Sequence, residues 1–375
     1  MPRSEDIAAS PPELSVIIPT LNEAAHLPAL LTDLRRQQGL SLELIIGDGG
    51  STDATPSMVQ TSGARLVPAQ RGRGAQMNAA AALATSPYLL FLHADSRLAD
   101  PCLLSRALAA LQTAEQAEAG AAGSAGVAGH FRLRFLRSGP GKRLSYRYLE
   151  EKTGLNRAHT TNGDQGLLLS RPFFDQLGGF DQSLPFLEDQ RIGEQIRSQG
   201  RWLTLPGELA TSARRFESEG FHRRYLLMGI MMGLYSIGEH RFFTRAPEVY
   251  RVQAETGTLR LWPIFRLLWS MVRRDWGVVG TLRTFYGLGR TIRRNSWQLF
   301  FFLDVWLRPI LGPGRYPLLR FHDRVIAPST DLKMLDGLVG LLCFGWYMGI
   351  LTAFFGLTET VAKRWPHRRP HATSG

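Results

Sequence analysis

The sequence predicts an α/β chain, with a mostly parallel sheet and flanking helices over residues 14–250 and a basic, aromatic-rich helical region over residues 251–375. Three observations carry that expectation. Short β-branched runs alternate with stretches of helical spacing, the pattern of strands joined by crossover helices. Tyr88 to Leu92 is an unbroken apolar run, too short for a membrane span and suited to a strand buried on both faces. The net charge of +12 is uneven, since residues 251–375 hold 18 Lys and Arg against 7 Asp and Glu.

Residues 1–13 are polar and proline-bearing, and read as a disordered N-terminus without a secretory signal. Leu14 to Ile18 is the first strand, ended by Pro19-Thr20-Leu21-Asn22-Glu23. A helix from about Ala24 to Gln38 follows, with Leu27, Leu30, Leu31 and Leu34 at helical spacing. Leu42 to Ile46 is the next strand, closed by Gly47-Asp48-Gly49-Gly50-Ser51-Thr52-Asp53. A helix after Pro56 and a strand at Arg65 to Val67 lead to Arg71-Gly72-Arg73-Gly74, which opens an alanine-rich helix feeding the Tyr88 strand.

Beyond it, Gln112 to Gly129 reads as a helix end fraying into a linker, Gly129 to Leu136 as a strand and Lys142 to Lys152 as a helix. Gly166 to Ser170 is a further short strand, Glu188 begins a helix to Gln199, and Trp202 to Leu205 is the last strand. Cys102 and Cys343 form no motif, which suits a reduced compartment.

Glu23, Asp48, Asp95 and Asp189 each stand near the end of a predicted strand or turn, and parallel strands bring such ends to one edge. Converging carboxylates cost electrostatic energy unless a cation or donor groups answer them, so the pattern points to a metal and a nucleotide. Asp95 also reads as a plain cap for the helix near Pro101, and Glu188 and Asp189 as first-turn acids that complement a helix dipole.

Val16 to Glu23, Ile46 to Asp53, Arg71-Gly72 with Gln76-Met77-Asn78, Phe91 to Asp95, and Gly178-Gly179-Phe180 with Glu188-Asp189 resemble the ordered motifs of family 2 glycosyltransferases with the GT-A fold. The resemblance implies a nucleotide-sugar donor and inversion at the anomeric carbon. It assigns Pro19, Thr20, Leu21, Glu23, Asp48, Arg71 and Gln76 to the nucleotide, and Asp95 with His93 to a divalent metal, Mn²⁺ or Mg²⁺. Glu188 and Asp189 become the catalytic pair, with Asp189 the general base, and Asp164 and Gln165 face the acceptor. Arg71, Arg214 and Arg215 are candidate diphosphate partners, because a guanidinium pairs bidentately with phosphate oxygens. His93-Ala94-Asp95 departs from the family's Asp-x-Asp, a substitution shared, like Gly163-Asp164-Gln165, with a short subgroup. His93 stands either as a nitrogen ligand, which favours Mn²⁺ over Mg²⁺, or as a structural histidine.

The basic last third interleaves its charges with Trp, Phe, Leu and Ile, which favours an anionic membrane surface over nucleic acid. Leu259 to Trp276 suits a helix in the headgroup layer, and Trp297 to Leu311 a partial insertion. Gly337 to Leu357 is uncharged and long enough for a transmembrane or re-entrant helix, with a buried core helix as the alternative. Nucleotide sugars are cytosolic, so the expectation is an enzyme of the cell membrane with its catalytic domain on the cytoplasmic side and a lipid-linked or amphiphilic acceptor. A non-catalytic sugar-nucleotide-binding or scaffold protein is the other reading.

Overall fold

A computed structural model describes residues 11–119, 125–183, 186–254 and 257–364. The expected disordered N-terminus and the centre of the 112–129 tract therefore lie mostly outside the described residues. The chain divides into two compact units, Met1–Ala213 and Arg214–Gly375. That division falls ahead of the expected boundary at 250, because among the described residues the last strand ends at Ser212 and only helices follow.

The first unit is built on one eight-stranded sheet. Its strands are β1 (Leu14–Thr20), β2 (Leu42–Asp48), β3 (Arg65–Pro68), β4 (Tyr88–Phe91), β5 (Ser96–Arg97), β6 (Gly126–Leu136), β7 (Leu167–Ser170) and β8 (Gly200–Ser212), in the order β3-β2-β1-β4-β7-β6-β8-β5. The first four in that order run parallel, whereas β4 pairs antiparallel with β7. The sheet is therefore mixed rather than mostly parallel beyond β4, because a turn at Gly163–Gln165 sends the chain into β7 reversed. A mixed α/β sheet with flanking helices agrees with the GT-A expectation.

Helices α1 (Leu27–Arg35), α2 (Thr55–Ser62), α3 (Arg73–Ala81), α4 (Leu103–Ala119), α5 (Arg143–Lys152), α6 (Arg171–Gln176) and α7 (Glu188–Gln199) surround the sheet. β1 is buried at every position, as a central strand must be. Leu14, Val16 and Ile18 pack with α1 and α4 into one core, and Ile17 packs with Met77, Ala80 and Phe174 into another. The period of two in strand side chains thus separates two apolar layers. α1 begins at Leu27 rather than Ala24, with Pro28 in its first turn, where the missing N–H costs nothing. β8 is far longer than Trp202 to Leu205, since it pairs with β6 along nearly its whole length and then with β5.

The second unit contains α8 (Arg214–Glu219), α9 (Phe221–Ser236), α10 (His240–Ala254), α11 (Trp262–Met271), α12 (Gly277–Arg294), α13 (Trp297–Trp306) and a continuous helix, Lys333–Thr360. That helix is 28 residues long, enough by length and composition to cross a membrane, and most of its apolar stretch is not buried. The other two segments differ from expectation. In α11, Phe265 and Leu268 are buried rather than offered to headgroups, with Phe265 stacked on Phe355. Asp304, within the expected insertion at Trp297 to Leu311, is buried and accepts hydrogen bonds from the N–H groups of Leu318 and Leu319. Trp297, Phe301 and Val305 of the same helix are core residues.

Candidate active site at the carboxyl edge of the sheet

β1 pairs with β2 on one side and β4 on the other, so successive crossovers leave β1 in opposite directions and open a crevice at its carboxyl end. Thr20 is level with Asp48, and Ile17 with both Ile45 and Phe91. The register therefore brings Asp48 and the His93–Asp95 turn past the same edge, two strands or roughly 10 Å apart across the sheet.

On the β1–β2 side the loop is tied down by its own polar side chains. Asp48 accepts from the N–H groups of Gly50 (3.0 Å) and Ser51 (2.9 Å), and from the hydroxyls of Ser51 (2.5 Å) and Thr20 (3.1 Å). Burial pushes its pKa up, but the hydrogen bonds from Ser51, Thr20 and Gly50 outweigh that and hold it below the ordinary carboxylate value. Asn22, in the left-handed region at φ 58°, accepts from the N–H of Thr52 and donates its own N–H to Ser51. Glu23 donates its N–H to Thr55, and Pro19 and Leu21 flank Thr20 on the same segment. Asn22, Ser51 and Thr55 escape a reading that looks only for charges, yet they shape this loop.

Two expected ligand residues are structural. Gln76 is buried and donates its amide to the carbonyls of Thr20 and Gly47, stitching α3 under the strand ends instead of facing a nucleotide. A side chain at Gly49 would strike that amide at 2.7 Å, which explains the glycine. Gln165 is fully buried. Its amide donates to the carbonyls of Phe131 and Thr153, and its carbonyl accepts from Asn162, so it cannot touch an acceptor. Arg71 is exposed just ahead of α3, while Arg214 and Arg215 open α8 in the second unit.

On the β4 side, His93 Nδ1 lies 2.7 Å from Asp164 Oδ1. The next residue back, Gly163, donates its N–H to Asp189 Oδ2 at 2.8 Å, and Gln190 donates to Asp189 Oδ1 at 2.9 Å. These bonds fix the carboxylate of Asp189 while leaving lone pairs on both oxygens. Its neighbour Glu188 is only 4% exposed and lies 2.7 Å from Arg73 Nε, an ion pair without good hydrogen-bond alignment. Burial raises its pKa, Arg73 pulls it down and Asp189 pushes it up again, with a net rise. Glu188 is thus buried at the start of α7 and faces Arg73. Leu187 precedes it at φ 66°, a strained value for a branched side chain. Asn78 holds the approach to α7 by donating to the carbonyl of Phe180 and accepting from its N–H.

A small apolar cavity lies behind this cluster, walled by Met77, Phe91, Phe180 and Trp202 and rimmed by His93, Glu188 and Asp189. Asp48 and Asp95 are outside it. Among the described residues no three His, Cys, Asp or Glu side chains are placed to hold a metal by themselves. His93 directs Nδ1 to Asp164, which links β4 to the Gly163 turn, and a side chain at Gly163 would meet Nε2 at 2.9 Å. Asp95 fits a cation that arrives on a diphosphate, because one carboxylate plus phosphate oxygens is an ordinary set for such ions.

Comparison with known proteins bears on this edge. Over 105 residues the chain is 42% identical to the PGL/p-HBAD biosynthesis glycosyltransferase of Mycobacterium bovis and that of Mycobacterium tuberculosis, covering 26% of this chain and 41% of each relative. The chain thus spans about two fifths of the length of those relatives. Solved structures similar to it include S. aureus TarS 1–349 in complex with UDP-GlcNAc, at 16% identity and a TM-score of 0.43 over 90% of this chain and 92% of that one. Another is the mannosyltransferase PcManGT from Pyrobaculum calidifontis with GDP-Man and Mn²⁺, also at 16% and 0.43, over 96% and 88%. Residues 15–176 match the family model described as Glycosyl transferase family 2. That stretch runs from β1 to α6 and includes Asp48, Asp95 and Asp164, while Glu188 and Asp189 lie beyond it.

Proposed function

We propose that the protein is an inverting glycosyltransferase that moves a sugar from a nucleotide-sugar donor to a lipid-linked or amphiphilic acceptor at the cytoplasmic face of the cell membrane. The observation that carries the reading is Asp189 held by two backbone N–H groups beside the His93–Asp164 link, at the edge where Asp48 and Asp95 also emerge. Asp189 takes the proton of the acceptor hydroxyl as its oxygen attacks the anomeric carbon from the face opposite the leaving diphosphate. The loop from Pro19 to Glu23 and Asp48 bind the nucleoside, and Arg71 answers charge on the diphosphate. A divalent cation held through Asp95 would supply further charge neutralisation at that group. Arg73 and Glu188 keep the start of α7 in place.

Transfer and donor hydrolysis by the purified full chain, over a panel of nucleoside diphosphate sugars, test the proposal. The expected result is turnover of at least one donor with inverted product configuration, lost in Asp189→Asn and reduced by EDTA. Equal rates with EDTA present remove the metal from the mechanism. Binding of UDP or GDP without any turnover, unchanged by Asp189→Asn, would instead favour the scaffold reading.

A further inference from the structure

We propose that the second unit docks on a single leaflet of an anionic bilayer, with the Lys333–Thr360 helix lying in the plane of the surface rather than crossing it. The inference rests on the membrane reading above and chooses between the two dispositions which that reading allows.

The helix presents one apolar face along its whole length. Met334, Leu338, Leu342, Trp346, Ile350 and Leu357 are each half or more exposed. In an uninterrupted α-helix, side chains four apart drift by about 40° each step, and such a row would wind around to the opposite side. The π-helical stretch Gly345–Leu351 takes more residues per turn and cancels the drift. The exposed row stays on one side, and Asp336, Gly340, Cys343, Met348, Phe355 and Glu359 stay on the other.

That other side is covered in two halves. α12 runs antiparallel to the first half, with Gly289 against Asp336 and Gly340, and Phe285 edge-on to Phe344 at 5.0 Å. α11 covers the second half, where Phe265 meets Tyr347 and Phe355, and the N–H of Trp262 reaches Glu359. The corner between α11 and α12, Val272–Trp276, is pinned by Trp276 packing on Phe285. It therefore stands beside the midpoint of the long helix.

Arg273 and Arg274 are exposed at that corner, and Arg283 is exposed farther along α12. If the helix crossed the bilayer, its midpoint would carry these guanidinium groups to the centre of the hydrocarbon, the costliest depth for a charge. Laid flat, the same unit sends its apolar face into the acyl chains and keeps the arginines at headgroup level, where anionic lipids complement them. A second copy of the chain would cover the apolar row but leave this basic surplus unanswered.

Depth measurement tests the disposition. Nitroxide labels at Leu338→Cys, Trp346→Cys and Leu357→Cys, in a Cys102→Ser, Cys343→Ala background, are read by collision with oxygen and a water-soluble nickel chelate. The full chain is bound to vesicles of phosphatidylcholine and phosphatidylglycerol. The three depths are expected to agree within about 5 Å, one helical turn. A label at 346 lying roughly 12 Å deeper than its neighbours, the rise over eight residues, overturns the in-plane proposal while leaving membrane association intact. Failure to bind these vesicles, with a stable dimer in sedimentation, overturns the membrane reading itself.

Discussion

Acidic side chains behave differently in the two units. In the helical unit the buried carboxylates hold elements together. Asp336 is paired with Arg290 and Arg293, and Glu359 with Arg223 and the N–H groups of Leu261 and Trp262. Asp304 accepts two backbone N–H groups. In the sheet unit, Asp48 and Asp189 are also held by N–H groups, but from loops that rim the open carboxyl edge of parallel strands. The same side-chain chemistry yields structure where helices close around it and a candidate site where strands end beside it. Location in the fold, not residue type, separates the two.

The comparison can be broken most decisively at Asp189. Asp189→Asn is expected to lower transfer by about 10²- to 10⁴-fold, the range for losing a general base, with little change in melting temperature. An equally large loss of stability with intact turnover would move Asp189 into the structural class. Glu359→Gln should do the reverse. Weakening its charged hydrogen bonds is expected to cost about 1.5–3 kcal/mol, read as a lower denaturation midpoint.

Gln165→Ala sharpens the contrast within the sheet unit. It leaves buried partners unsatisfied, at about 1–3 kcal/mol in stability, while KM for acceptor in the folded fraction stays unchanged. The smallest effect is in the pH dependence of Asp48. Its folded pKa is lowered, so its stabilisation is complete above the ordinary 3.8 and lost as pH falls through the lowered value. The stability difference between wild type and Asp48→Asn should therefore shrink in acid below 3.8, as denaturant titrations at several pH values would show.

Much of the sheet was legible because strand burial writes itself into local sequence. The runs at Leu14, Leu42 and Tyr88 all became strands of the parallel half, and the turns after them carry the acids that the register gathers. The antiparallel half was harder to read. β7 is as apolar as β4, and nothing in four residues says which way a strand points. The site was legible by residue type but not by role. Gln76, Gln165 and Glu188 look like polar ligands in a motif, yet all three are buried with their groups turned to backbone or to Arg73. Arg73 itself lies inside the Arg71 to Gly74 motif, and only the fold pairs it with a residue 115 positions later.

Sequence alone determined that strands alternate with helices, that acids follow the strands, and that the last third is basic and apolar together, because composition and short-range periodicity are local properties. Tertiary structure decided which acid faces open space, which polar side chain is spent on a carbonyl, and which side of Lys333–Thr360 is left uncovered. Those outcomes depend on partners far away in the chain, and a hydrogen bond or a buried face exists only once folding has brought both halves together.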